Sequence, residues 1–233
     1  MTYARIGDVQ SAESRFRLAL EIAESPGSVA GSDSNRHARA AIHSGLGQLL
    51  RTIGKTDVAD REYSSSLALW QELCTGTEAK EIYRKGLAQT LNSLGVLCGM
   101  QQRNNDAADN FAAARTEYQK LADDHPSNPA YRKEVASSLG NLGVILMDQG
   151  KKTEALSALK ESNEATRILA SQFPDVPDYQ AVAASDKAIS WVESNRRAGF
   201  VLMKYGIDPT IPRPKDSSPT GAVEPAHRAS KSC

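Results

Sequence analysis

Four histidines, three cysteines and one adjacent pair of aspartates are the side chains in this 233-residue chain best suited to chemistry. A metal or hydrolytic site needs such groups to converge. His37 and His43 are six residues apart, so they do not share a helix face as residues three or four apart would. His125 and His227 each stand alone in the chain. Cys74, Cys98 and Cys233 form no Cys-x-x-Cys pair, and their number is odd. That argues against a zinc site or a disulfide framework and for a reducing, cytoplasmic compartment. Asp123-Asp124 reads as a solvated helix end, because acids are unfavourable near a helix C-terminus and help to stop the helix there. There is no Gly-rich phosphate loop, no His-Arg-Asp and no Asp-Phe-Gly. The expectation is a non-enzymatic chain with no catalytic residue, no cofactor and no metal.

Bulk properties narrow the partners. Lys+Arg and Asp+Glu both number 28, so no net charge draws the chain to nucleic acid or to an anionic membrane. Apolar residues make up 40% and aromatics only 6%, which suits many small helix contacts better than one large core. The first ten residues hold Arg5 and Asp8 and no apolar segment, so no signal peptide is expected. No stretch approaches the roughly 20 apolar residues of a membrane span.

What positions these side chains is a repeat. Tyr83, Tyr131 and Tyr179 are spaced by 131 − 83 = 48 and 179 − 131 = 48 residues. Tyr83-Arg84-Lys85 recurs as Tyr131-Arg132-Lys133, and Leu94-Gly95-Val96-Leu97 as Leu142-Gly143-Val144-Ile145. Pro126 and Pro129 return as Pro174 and Pro177. Leu46-Gly47, Ala59 and Tyr63 carry the register backward, and Gly7, Ala12 and Phe16 follow with a shift of 47. A period in the range of roughly 20–50 residues marks a stacked array. In that register Cys98 takes the slot of Leu50 and Leu146, and Cys74 that of Ala122 and Ala170, so both read as small core residues. His125 takes the slot of Phe173, which points to packing or a turn.

Each unit reads as two helices. Val135, Leu139, Leu142 and Leu146 are spaced as one helix face, and Gly150 supplies a C-terminal cap. The second helix carries Ala155, Leu159, Ile168 and Leu169 and stops at Pro174. The spacing predicts helices over 8–25, 35–53, 56–75, 79–101, 104–124, 128–149, 152–173 and 178–204, with no strand. From Gly206 the chain holds half of its ten prolines among serines, the composition of a disordered tail over 206–233. The predicted organisation is a half unit over 1–30, full units over about 35–82, 83–130 and 131–178, and a capping helix over 178–204.

Leu-Gly followed by a large apolar residue in the first helix, and Ala followed by a large residue in the second, resembles the tetratricopeptide repeat. The residues that carry the likeness are Leu46-Gly47, Leu50, Ala59 and Tyr63, then Leu94-Gly95, Cys98, Ala107 and Phe111, then Leu142-Gly143, Leu146, Ala155 and Leu159. The resemblance covers about residues 3–205 and implies an all-α, right-handed superhelical solenoid of antiparallel helix pairs, about eight helices in all. In this reading Gly and Ala let two backbones approach, and the large residues fill the gap to the neighbouring unit. The family's usual period is about 34 residues. The longer period here resembles arrays that accompany bacterial serine/threonine kinase signalling modules, which would make the chain a regulatory part without its catalytic module.

The resemblance also implies a concave face lined by the first helices, where a peptide or helix of a protein partner lies. The positions carried over are Ser44, Gln48 and Arg51, then Gln89, Asn92, Val96 and Met100, then Ser137, Val144, Met147 and Asp148, with Val192, Asn195 and Arg196 from the last helix. The carboxylate clamp of chaperone-binding members is absent, since its slots hold Ser44 and Gln48, Asn92 and Val96, Gly140 and Val144. Val96, Val144 and Val192 form a ladder that is either an apolar groove or part of the core. Tyr3 to Gly7 aligns with Leu50 to Gly54, the end of a first helix. The chain is therefore expected to start inside a unit, with Phe16, Leu20 and Ile22 partly unpaired and open to self-association or to a preceding part of a longer array.

Overall fold

The computed structural model describes residues 3–25, 31–75 and 80–176. Seven α-helices follow one another: α1 (Tyr3–Glu24), α2 (Asp33–Thr52), α3 (Thr56–Leu73), α4 (Glu81–Met100), α5 (Asn104–Asp124), α6 (Pro129–Asp148) and α7 (Lys152–Gln172). No strand occurs among the described residues. α2, α4 and α6 begin at 33, 81 and 129, steps of 81 − 33 = 48 and 129 − 81 = 48. α3, α5 and α7 begin at 56, 104 and 152, the same steps. The predicted helix over 178–204 and the tail over 206–233 lie outside the described residues.

Local chemistry sets the boundaries. Ser32 caps α2 by accepting the Asn35 amide at 3.2 Å, and Asn128 caps α6 by accepting the Ala130 amide at 3.2 Å, ahead of Pro129 in the first turn. Each first helix ends in the same turn. The amides of Lys55, Arg103 and Lys151 donate to the carbonyls of Leu50, Cys98 and Leu146, five residues back, each at 2.9 Å. This is a Schellman arrangement, which needs one residue in the left-handed region. That residue is Gly54 (φ 79), Gln102 (φ 61) and Gly150 (φ 77).

Packing is by hairpins. α2 lies on α3, α4 on α5 and α6 on α7, while α3 meets α4 and α5 meets α6 to join the pairs. α2 also touches α4, and α4 touches α6, so the first helices approach one another along one side. Within each pair the Leu-Gly glycine receives the large residue of its own second helix. A Cβ on Gly47 would stand 2.9 Å from the Tyr63 ring, one on Gly95 2.7 Å from Phe111, and one on Gly143 2.6 Å from Leu159. The glycines thus make room for a large side chain of the same unit, a contact additional to the expected one with the neighbouring unit. Tyr63 makes both, since it is buried with Leu46 and Leu50 of α2 and with Leu94 and Leu97 of α4.

Ties between elements repeat as well. Arg84 donates to Asp124 at 2.9 Å and Arg132 donates to Gln172 at 2.8 Å, each joining the start of a first helix to the end of its second. Asp124 therefore has a pairing duty beyond ending α5. Ser66 donates to the Ala40 carbonyl at 2.8 Å, and Ser162 to the Ala136 carbonyl at 2.7 Å.

The N-terminal helix departs from the predicted register. α1 runs unbroken through Gly7, where the alignment with Gly54 placed a turn. A glycine alone does not end a helix; the turn at Gly54 also needs the left-handed φ and the bond from Lys55. Phe16 and Leu20 are half-buried against the core of Leu46, Leu50 and Tyr63, and the Phe16 ring lies where a Cβ on Gly45 would come within 2.8 Å. Phe16 is thus more covered than expected, while Leu18 at 56% and Ile22 at 62% exposure are open apolar residues of α1. Buried Glu13 joins α1 to the first turn of the array, with Lys55 at 3.1 Å and Arg17 at 2.5 Å.

Candidate partner-binding surface

The described positions of the expected groove all stand on α2, α4 and α6, the helices that approach one another. Gln48, Gln89, Ser137 and Asp148 are exposed, and Ser44, Arg51, Asn92, Met100 and Met147 are half-buried. The Asn92 side-chain carbonyl and the Arg51 Nε are buried without a hydrogen-bond partner among the described residues. The valines divide. Val96 is half-buried and packs on a cluster of Cys98, Ala107, Phe111 and Ile145, while Val144 is buried at 6% exposure. Val192, Asn195 and Arg196 lie outside the described residues.

The side chains suited to chemistry are spread along the array. His37 stacks between Trp70 and Tyr83, with ring centroids 5.4 and 5.7 Å away. His43 Nδ1 lies 2.7 Å from a Glu62 carboxylate oxygen, joining α2 to α3. His125 Nε2 lies 3.5 Å from the carboxylate of Glu81, which also accepts the Tyr131 hydroxyl. Burial, helped by that carboxylate, pushes the Tyr131 phenol up to about 12. The Cys98 sulfur accepts from Arg103 at 2.9 Å, yet burial outweighs that cation and raises the thiol above its usual range. Burial raises Cys74 too. Raised thiols are poor nucleophiles at neutral pH. His227 and Cys233 lie outside the described residues. Among the described residues no group of three or more His, Cys, Asp or Glu stands ready to hold a metal ion. No described helix is long and apolar enough to cross a membrane.

Clefts among the described residues open elsewhere. One, of about 550 Å³, lies between α1 and α2 beside Asp8, Arg15, Phe16 and Ile42. Another, of about 380 Å³, lies between α5 and α7 with Leu139, Leu142 and Leu146 of α6 as its floor. Neither is lined by the expected groove positions. The signal for the second was present in the sequence as a broken slot, since Arg115 stands where the preceding unit has Leu67 (115 − 67 = 48).

Comparison with known proteins agrees with the hairpin geometry. No curated protein and no solved structure matches the chain. Residues 135–170, most of α6 and nearly all of α7, match the tetratricopeptide repeat family model. The α6–α7 hairpin is thus similar to a tetratricopeptide repeat, and hairpins of the same helix spacing stand at α2–α3 and α4–α5.

Proposed function

We propose that this chain is a non-enzymatic scaffold that holds a peptide or helix of a protein partner along the side where α2, α4 and α6 approach one another. The observation that carries the reading is the matched repeat, whose family typically serves protein interaction and is typically non-catalytic. Gln48, Gln89 and Ser137, exposed on these three helices, support the reading, because their hydrogen-bonding side chains suit the backbone of an extended or helical segment. Capture of binding proteins by the wild-type array and by a Gln48→Glu, Gln89→Glu, Ser137→Glu variant, quantified by mass spectrometry, tests it. A partner lost by the variant at equal folding supports the groove; identical capture at equal amounts refutes it. These exposed positions are better probes than Val96 or Val144, whose replacement would disturb the core.

The 48-residue spacing of the helix starts supports a second, regulatory reading, as the array of a bacterial serine/threonine kinase. Inspection of the surrounding coding sequence for a kinase module tests it, and a complete reading frame without one opposes it. Self-association through α1, with Leu18 and Ile22 in the contact, is the remaining interaction reading. A monomer by light scattering at high concentration would refute it.

A further inference from the structure

The cleft between α5 and α7 has an internal control one repeat earlier. There the equivalent floor is Leu91, Leu94 and Cys98, all buried. Leu67 of α3 covers it, packing against the two clusters that contain Leu91 and Leu94. At the next junction Arg115 replaces that leucine and does not fill the space. Its Nη2 stands 3.7 Å from Glu161 of α7, and its Nε is buried with no partner among the described residues. Leu142 and Leu146 are left half-buried beneath the opening.

On the α7 side the cleft is lined by Glu154, Ser157, Ala158 and Glu161. Glu154, Ser157, Glu161 and Glu164 are spaced by three, four and three residues and so share one helix face. Glu161 faces Arg115 and accepts from Ser157, and Glu164 pairs with Arg167. Glu154 has no ion pair among the described residues and is exposed. An apolar floor beside an unneutralised carboxylate selects an occupant that is apolar and basic.

We propose that this cleft takes an amphipathic helix of a protein partner, which seats an aliphatic side chain on Leu142 and Leu146 and sets a Lys or Arg one turn away against Glu154. The site is separate from the first-helix side and does not depend on it. The probe is a fluorescein-labelled helical peptide of Leu and Lys at helical spacing, with a Leu and Glu counterpart, titrated against the full chain by anisotropy. The Lys peptide binds the wild type more tightly than the Glu peptide. Arg115→Leu, which restores the residue of the preceding repeat, weakens Lys-peptide binding by about tenfold or more, the effect of losing one buried aliphatic side chain. Loss of a positive charge would strengthen non-specific attraction to a cationic peptide, so this weakening reports closure of the cleft. Glu154→Lys weakens the Lys peptide and spares the Glu peptide, and carries the test if Arg115→Leu fails to fold by circular dichroism. The variant carrying Gln48→Glu, Gln89→Glu and Ser137→Glu binds the Lys peptide at least as tightly as the wild type, its added charge only raising the background attraction, which separates this site from the first-helix reading. Equal binding by Arg115→Leu, or preference for the Glu peptide, overturns the proposal. A wild-type dimer that Arg115→Leu makes monomeric assigns the cleft to a second copy and also overturns it. So does hydrogen-exchange protection within residues 206–233 that Arg115→Leu abolishes, which assigns it to the chain's own tail.

Discussion

Replacing Gln102 by glycine should stabilise the array. Gln102 holds φ 61 at the turn after α4, in the slot that Gly54 and Gly150 fill with φ 79 and 77. A side chain in the left-handed region costs about 1–2 kcal/mol through the clash of Cβ with the following carbonyl. Glycine removes that cost but adds unfolded-state entropy, about 0.5–1 kcal/mol in the opposite sense. The Gln102 side chain is exposed, and its backbone amide still donates to the Gly99 carbonyl at 3.2 Å whatever the side chain. The net gain should therefore be about 0.5–1 kcal/mol. Urea unfolding should show a higher midpoint at unchanged slope, the mark of a stability change without a change in exposed surface. Gly54→Ala and Gly150→Ala should each lose about 1 kcal/mol or more, since alanine there is forced into the same strained region. A Gln102→Gly variant that is neutral or less stable, beside neutral Gly54→Ala and Gly150→Ala variants, would refute the claim that one turn geometry sets all three hairpins.

Tyr63→Phe should raise stability by about 1 kcal/mol in the same assay, because the Tyr63 hydroxyl is fully buried with no partner among the described residues, and the next unit carries Phe111 in that slot. Gly95→Ala should cost about 1–3 kcal/mol, because its Cβ would press to 2.7 Å from the Phe111 ring, and Phe111→Leu should return part of that loss in a double-mutant cycle. The Tyr131 phenol sits at about 12 in the fold against an ordinary 10, so the folded state favours the protonated form. Its stability contribution is complete below pH 10 and is lost as pH rises from 10 toward 12. Tyr131→Phe should flatten the alkaline fall in thermal midpoint while costing about 1 kcal/mol at neutral pH through the lost bond to Glu81.

Periodicity made the helices legible almost to the residue. The spacing placed a helix over 104–124, where α5 runs Asn104–Asp124, and one over 128–149, where α6 runs Pro129–Asp148. Glycine and proline punctuate these boundaries locally, so sequence suffices there. α1 starts earlier than the spacing predicts, because Gly7 matches a slot whose turn depends on backbone bonds that no residue name encodes. The side chains facing a partner were harder. Val96 and Val144 share a slot but not a burial, since helix rotation and the size of each neighbour decide exposure. The His43–Glu62 pair joins two helices at positions that hold Leu91 and Asn110 in the next copy, so comparing units gave no hint of it. The opening above Leu142 came from Arg115 breaking a slot, and attention to what recurs passes over what does not.

Site-specific photo-crosslinking tests the central claim most directly, namely that the first-helix side receives the partner. A photoreactive side chain at Gln48, Gln89 or Ser137, all exposed on α2, α4 and α6, should each give a covalent adduct with one and the same captured protein. The same group at Arg61, exposed on α3, should give none. Adducts from Arg61 and none from Gln48, Gln89 and Ser137 would contradict the account.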